Sequence, residues 1–183
     1  MRVIAGEAKG RMLLAPKGTG TRPATDRIRE TLFQILEPDL GDARVLDLFA
    51  GAGTMGIEAL SRGAAECVFV ERDRTLARML RENLSRLKQE NFRLIEGDAL
   101  GALAATAQAF DIVFLDPPFT ESLWEESAQR LERGWLHDGS WIYVESPLER
   151  AFVLPPNWQL HREGQAGAVR FALYRRAAAD PLS

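Results

Sequence analysis

Asp47-Leu48-Phe49-Ala50-Gly51-Ala52-Gly53-Thr54-Met55-Gly56 follows a short apolar run and leads into a helical one. Gly51, Gly53 and Gly56 have the G-x-G-x-x-G spacing of a turn that carries a strand into a helix beside a ligand. Alone the spacing is weak, because glycine turns after strands are common. The flanking sequence strengthens it. Strand patterns lie at 45–49, 67–71, 92–95, 112–116 and 141–145, with helical patterns at 56–61, 74–87, 99–106 and 122–133 between them. Such alternation implies a parallel sheet covered by helices on both faces. After Pro155-Pro156 the order changes: strand patterns at 158–162 and 169–174 are joined by residues 163–167 with no helix between. That is a hairpin, so one of its strands runs antiparallel. Upstream, Val3-Ile4 and Met12-Leu13-Leu14 flank a turn at Lys9-Gly10 and predict a short hairpin. Thr25 or Asp26 caps a helix that reaches Leu36 and is ended by Pro38. The expectation is an α/β chain. A hairpin-and-helix extension at 1–38 precedes a main domain at 39–176, and a tail follows at 177–183.

Four acids fall at four successive strand ends: Asp47, Glu71, Asp98 and Asp116. In open α/β sheets that edge holds the ligand. Glu71 suits two ribose hydroxyls, which fits either a dinucleotide or S-adenosylmethionine. Asp47 separates these readings. A carboxylate just before the glycines repels a pyrophosphate but suits the ammonium of a methionine moiety. In Gly97-Asp98-Ala99, Asp98 is placed to accept from an adenine amine. A single acid of this kind is usually a helix cap. Four in register describe a crevice for a cationic, hydroxylated, adenine-bearing ligand.

Asp116-Pro117-Pro118-Phe119 closes the fourth strand. It offers a carboxylate acceptor, a Pro117 carbonyl that no helix needs, two stiffening prolines and an aromatic ring. A planar exocyclic amine on a nucleobase requires this set: both N–H bonds are accepted and the base is stacked. The alternative is a Pro-Pro turn with a core phenylalanine.

Composition narrows the class. No apolar run approaches the roughly 18 residues of a membrane span, and charge arrives too early at the start for a secretory signal. A cytoplasmic protein is expected. One cysteine, Cys67, excludes an internal disulfide and a multi-cysteine metal site, and His137 and His161 lack ligand company. The net charge of −3 does not advertise nucleic-acid binding. Its distribution does: residues 1–30 carry +4 and the remainder −7, a basic arm on an acidic body. A solvated amino-terminal face explains the same charges.

The glycine turn, the strand-end acids and the final hairpin together resemble the class I S-adenosylmethionine-dependent methyltransferases, which have a Rossmann-like seven-stranded sheet. Asp116-Pro117-Pro118-Phe119 resembles the motif of the branch that methylates adenine N6, cytosine N4, guanine N2 or a glutamine amide. Arg2-Val3-Ile4-Ala5-Gly6, Lys9-Gly10-Arg11 and the run from Arg22-Pro23-Ala24-Thr25 to Leu32-Phe33 narrow this further. With Gly56 to Ala64, Tyr143-Val144-Glu145 and Leu173-Tyr174, they are similar to the bacterial 16S rRNA guanine-N2 methyltransferases over nearly the whole chain. One departure is Ala24, where the group usually has threonine.

The resemblance implies Asp116, Pro117 and Phe119 as the catalytic set. It implies Asp47, Phe49, Gly51, Gly53, Glu71, Asp98, Ala99 and Asp116 as contacts for S-adenosylmethionine and its product S-adenosylhomocysteine. It implies Arg22, Arg27 and Arg29 as RNA or active-site contacts, with salt bridges to Asp26, Glu30 or the body as the alternative; the basic arm adds Lys9 and Arg11 as contacts for 16S rRNA, free or within the small ribosomal subunit. No metal is expected, and a monomer is favoured. Rival readings are the same chemistry on DNA adenine or a protein glutamine, a nicotinamide-dependent oxidoreductase and a non-catalytic RNA-binding relic. The oxidoreductase rests on the glycine spacing alone.

Overall fold

In the computed structural model, which describes residues 1–17 and 23–178, the apolar runs of the chain lie side by side in one seven-stranded sheet. Its strands are β1 (Arg44–Asp47), β2 (Glu66–Glu71), β3 (Phe92–Glu96), β4 (Phe110–Leu115), β5 (Leu136–Pro147), β6 (Trp158–Ala166) and β7 (Val169–Arg176). Their order is β3-β2-β1-β4-β5-β7-β6. The first five are parallel, and β7 runs antiparallel to both β5 and β6. The chain steps outward from β1 to β3 and then returns to place β4 on the other side of β1. The strand order therefore reverses between β1 and β4, and that reversal opens a crevice above their carboxyl ends.

Helices α1 (Pro23–Leu40), α2 (Thr54–Ser61), α3 (Arg74–Arg86), α4 (Ala99–Ala102) and α5 (Trp124–Leu131) complete the fold. Side chains alternate between sheet faces, so each strand feeds two cores. Val45, Phe69, Phe114 and Tyr143 face one core, which α1, α2, α3 and the amino-terminal hairpin cover. Leu46, Val70, Leu115 and Val144 face the other, under α4 and α5. By the same alternation Asp47, Glu71, Asp116 and Glu145 all belong to the first face.

Three expectations need correction. Pro38 does not end α1, which runs on to Leu40. A proline in the last turn forfeits one amide bond, and burying Leu40 completely offsets that loss. The fourth helix spans four residues instead of eight. Residues 104–106 are exposed, so another turn would bury nothing to stabilise it. Residues 163–166 are not loop but part of β6, pairing with β7 up to Ala166 opposite Val169. The amino-terminal hairpin is present but short, with one antiparallel bridge between Arg2 and Met12.

Buried polar side chains fasten this hairpin to the body. Glu58 on α2 accepts the Ile4 and Ala5 amides at 2.7 and 3.1 Å. The Ser61 hydroxyl accepts the Ala8 amide at 2.8 Å and donates to the Ala5 carbonyl at 2.7 Å. Asn83 on α3 accepts from the Leu14 amide at 2.7 Å and donates to the Leu14 and Ala52 carbonyls at 3.0 and 2.9 Å. Each buried group leaves few unmet bonds, so the extension is held as a fixed wall.

Candidate active site

The glycine turn builds one wall of the crevice. Gly53 has φ 92°, and a Cβ there would strike the Leu80 side chain. At Gly56 a Cβ would overlap the Phe69 ring and the Cys67 sulfur, so its absence lets α2 lie directly on β2. The Gly56 amide donates to Asp47 Oδ2 at 3.0 Å, which anchors the helix start on the end of β1. Glu71 Oε1 accepts from the Gly51 amide at 2.8 Å and Oε2 from the Asp73 amide at 2.8 Å. A carboxylate has about four lone-pair positions, so both oxygens retain capacity for hydroxyls. Asp98 caps α4, accepting from the Leu100 and Gly101 amides at 3.0 and 3.1 Å.

Two cavities meet here. The larger, about 500 Å³, is lined by Phe49, Gly51, Glu71, Asp98, Ala99 and by Asp116 through Phe119, with Val70, Leu76 and Leu123 supplying apolar surface. The smaller, about 230 Å³, is lined by Asp47, Phe49, Gly51, Thr54, Asp116 and, from the extension, Met1, Pro16 and Arg29. The sequence-predicted residues thus gather at one place, apart from Gly53, which is buried behind the wall. The larger cavity combines three acids, Glu71, Asp98 and Asp116, with apolar side chains that suit an adenine, and Asp47 lines the adjoining one, a set that fits an adenosine with a cationic tail.

Asp116-Pro117-Pro118-Phe119 walls the larger cavity, and Asp116, with Phe49, Gly51 and Leu76, also lines the smaller one. The Pro118 carbonyl is taken by the Glu121 amide at 3.0 Å; among the described residues the Pro117 carbonyl has no such donor. Phe119 leans on Trp124 with centroids 6.1 Å apart. Arg150 locks the loop by donating to the Phe119 carbonyl at 3.0 Å and the Ser122 hydroxyl at 2.6 Å.

The electrostatics are unusual for carboxylates. Burial lifts Asp47 to about 7, with Glu71 and Glu145 adding to the rise and the Gly56 amide opposing it. Burial also pushes Asp116 well above the usual carboxylate range, reinforced by Glu145 and opposed by Arg29. Burial works against the Arg29 charge, but Glu145, Tyr143 and Asp116 more than offset it and its pKa rises. Perturbed acids in a cleft make this the candidate functional site.

Of the cations expected to face RNA, Lys9, Arg11 and Arg27 are exposed on the extension, with Arg11 donating to the Arg86 carbonyl at 3.0 Å. Arg22 lies outside the described residues. Arg29 is different: its side chain is only 18% exposed and is paired to Glu145 at 3.0 Å. It belongs to the floor of the site, because α1 points it inward along the stripe of Phe33. Glu145 and Tyr143 had no role assigned from sequence. Their signal was present: polar residues two apart on an apolar strand share one face.

The family model described as conserved hypothetical protein 95 matches residues 1–175. The ribosomal RNA small subunit methyltransferase D of Escherichia coli is 47% identical over 180 residues, covering 97% of this chain and 91% of that protein. The chain belongs to this family. The Haemophilus influenzae protein of the same name is 41% identical, over 96% of this chain and 93% of its own. The solved structure of yhhF from Escherichia coli superposes with a TM-score of 0.89 at 46% identity, covering 98% of this chain and 99% of that one. The protein is therefore an S-adenosylmethionine-dependent methyltransferase of class I fold.

Proposed function

We propose that the chain transfers a methyl group from S-adenosylmethionine to the exocyclic N2 of a guanine in 16S rRNA. The observation that carries this reading is the Asp116–Phe119 wall. It lines the adenosine-sized cavity, and its first residue, Asp116, also faces the second cavity, which the amino-terminal extension borders through Met1, Pro16 and Arg29. When bound, S-adenosylmethionine supplies a methyl already activated by its sulfonium. Glu71 and Asp98 hold the ribose and adenine, and Asp47 faces the ammonium. The guanine amine is a poor nucleophile, because its lone pair is delocalised into the ring. Asp116 and the Pro117 carbonyl accept its two N–H bonds and turn the lone pair toward the methyl, while Phe119 stacks on the base. This is catalysis by orientation and preorganised acceptors. As the C–N bond formed, the sulfonium S–CH3 bond would break with S-adenosylhomocysteine as the leaving group, and the nitrogen proton, made acidic by the transfer, would pass along the hydrogen bond to Asp116. The guanine must be unstacked to reach the wall.

Residues 1–38 serve as the RNA-facing extension and 39–176 as the transferase body, with Lys9, Arg11, Arg22 and Arg27 as phosphate contacts. The substrate is 16S rRNA in the small ribosomal subunit or its assembly intermediate, and the enzyme acts in the cytoplasm. The test supplies labelled cosubstrate with unmodified small subunits, free 16S rRNA, DNA and protein. Mass spectrometry of RNA digests should then find N2-methylguanosine at one position. Label in DNA adenine or in glutamine would overturn the substrate assignment.

A further inference from the structure

Phe33 on α1 packs against Phe114 with centroids 5.8 Å apart, and Phe114 meets Tyr143 edge-on at 5.7 Å. One helical turn before Phe33, the same stripe carries Arg29 to the strand ends. Arg29 Nε and Nη2 donate to Glu145 Oε1 at 3.1 and 3.0 Å, and Nη2 reaches Oε2 at 3.3 Å. The Tyr143 hydroxyl donates to the same Oε1 at 2.8 Å. The strand register sets Leu115 beside Val144, so Asp116 and Glu145 follow side by side. Arg29 and Asp116 line the smaller cavity, whereas Glu145 is not among the lining residues and its side chain is 6% exposed.

We propose that Glu145, clamped by Arg29 and Tyr143, is a positioning residue: it holds the Arg29 guanidinium off Asp116, leaving the Asp116 carboxylate free to accept the substrate amine. The inference rests on the amine-methylation reading of this site. Glu145 does not touch substrate; it acts through its two neighbours. Without Glu145, the nearest anion for a half-buried guanidinium is Asp116, and an ion pair there would occupy the lone pairs the amine needs. Burial and Glu145, through its charge and a side-chain hydrogen bond, already raise Asp116; without Arg29 that rise goes further, and the carboxyl group holds its proton to higher pH. A protonated Asp116 donates instead of accepting. The charged groups facing Asp116 are Arg29 from α1, Glu145 and Tyr143 from β5 and Asp47 from β1, with Glu71 on β2 behind Asp47. Glu145 raises Asp116 and Arg29 lowers it, so their removal acts in opposite directions.

The test measures kcat and KM for cosubstrate and small subunits across pH for wild type, Glu145→Gln, Arg29→Gln and Arg29→Lys. Circular dichroism confirms that each variant is folded. Glu145→Gln should lower kcat at least about tenfold with both KM values nearly unchanged, and move the acid limb of the kcat profile to lower pH. Arg29→Gln should move that limb to higher pH, and Arg29→Lys should leave it near the wild-type position. A merely structural role would not produce opposite shifts. Limbs that stay put or move together in folded variants overturn the inference. If Arg29→Gln does not fold, the acid limb of Glu145→Gln decides alone: a downward move supports the proposal and no move overturns it. Wild type that makes N2-methylguanosine while these limbs stay put defeats only this inference. Wild type that makes none defeats the functional reading beneath it.

Discussion

At the amino-terminal edge of the sheet a cleft of about 380 Å³ is lined by Asp39, Asp42, Asp111 and Asp138. There Asp111 accepts from the Arg44 amide and meets His137 Nε2, both at 2.7 Å, and Asp39 accepts from Trp141 Nε1 at 2.8 Å with Arg175 at 3.7 Å. The carboxyl-terminal edge also has acids around cavities, but there Asp47 is buried beside two further acids, Glu71 and Glu145, and half-buried Asp116 is opposed by Arg29, which Glu145 already holds. Acid content and cavity size do not separate the two edges. Partnership does. Carboxylates whose charge is met locally brace strand ends, whereas buried carboxylates left short of cations are poised to take a cationic ligand or a donor.

The largest way to break this comparison is Asp116→Ala. Its hydrogen bond counts chiefly in the transition state, so kcat should fall by roughly a thousandfold while cosubstrate affinity stays within a few-fold. Near-full turnover under saturating substrates would remove the carboxyl edge's claim to the chemistry. Next comes Asp47→Asn in the protein without cosubstrate. The folded pKa of about 7 lies above the ordinary aspartate value of 3.8, so between the two the folded state keeps a proton that the unfolded chain has lost. Wild-type stability therefore falls as pH rises from about 4 to about 7. Asparagine carries no charge to bury, so the variant should match wild type near pH 4 and exceed it at pH 8 by on the order of 2–4 kcal/mol. Denaturant melts at the two pH values measure this; an equal gap at both would mean the carboxylate is not strained by burial.

The two edges were not equally legible in the sequence. Asp47, Glu71, Asp98 and Asp116 could be placed because each ends an apolar run, and alternation fixes the end and face of a strand without tertiary knowledge. Their partners could not. Arg29 and Glu145 are 116 residues apart, and only the packing of α1 on Phe114 and Tyr143 brings them together. The sequence therefore left Arg29 open between an RNA contact, an active-site contact and a salt bridge, and the fold sets it on the cavity wall paired with Glu145. The same blindness hid Glu58, Ser61 and Asn83, whose polar groups look like ordinary helix-surface residues until the hairpin covers them. Pro38 misled for a related reason: local propensity marks a stop, and the burial of Leu40 overrides it.

Smaller effects sharpen the contrast within the carboxyl edge. Glu71→Ala should cost cosubstrate binding about 1–3 kcal/mol, because two acceptors vanish while the apolar wall remains. Unchanged affinity in a calorimetric titration would move the ribose elsewhere. Replacing exposed Lys9 and Arg11 with glutamine should leave that affinity alone. It should flatten the slope of log RNA affinity against log salt by about 1.5, near 0.7–0.9 for each lost phosphate contact. An unchanged slope would send the RNA to another surface, with Arg170, Arg175 and Arg176 next to test.

The smallest expected effect lies at the opposite edge. The His137 pKa is raised by its bond to the Asp138 carbonyl and by Asp111, against a modest burial cost. The folded state thus binds the proton more tightly than the unfolded chain. The stabilisation is fully present below the ordinary histidine pKa and is lost as pH rises through the folded value. His137 and Asp111 side chains are 45% and 41% exposed, so solvent screens the pair and its worth is below about 1 kcal/mol. His137→Gln should therefore lower stability slightly at pH 5.5, do nothing at pH 9 and leave methyl transfer unchanged at both. The last point tests the comparison itself. If His137→Gln slowed turnover tenfold without unfolding the protein, the paired edge would not be a passive brace, and partnership would no longer distinguish the two ends of the sheet.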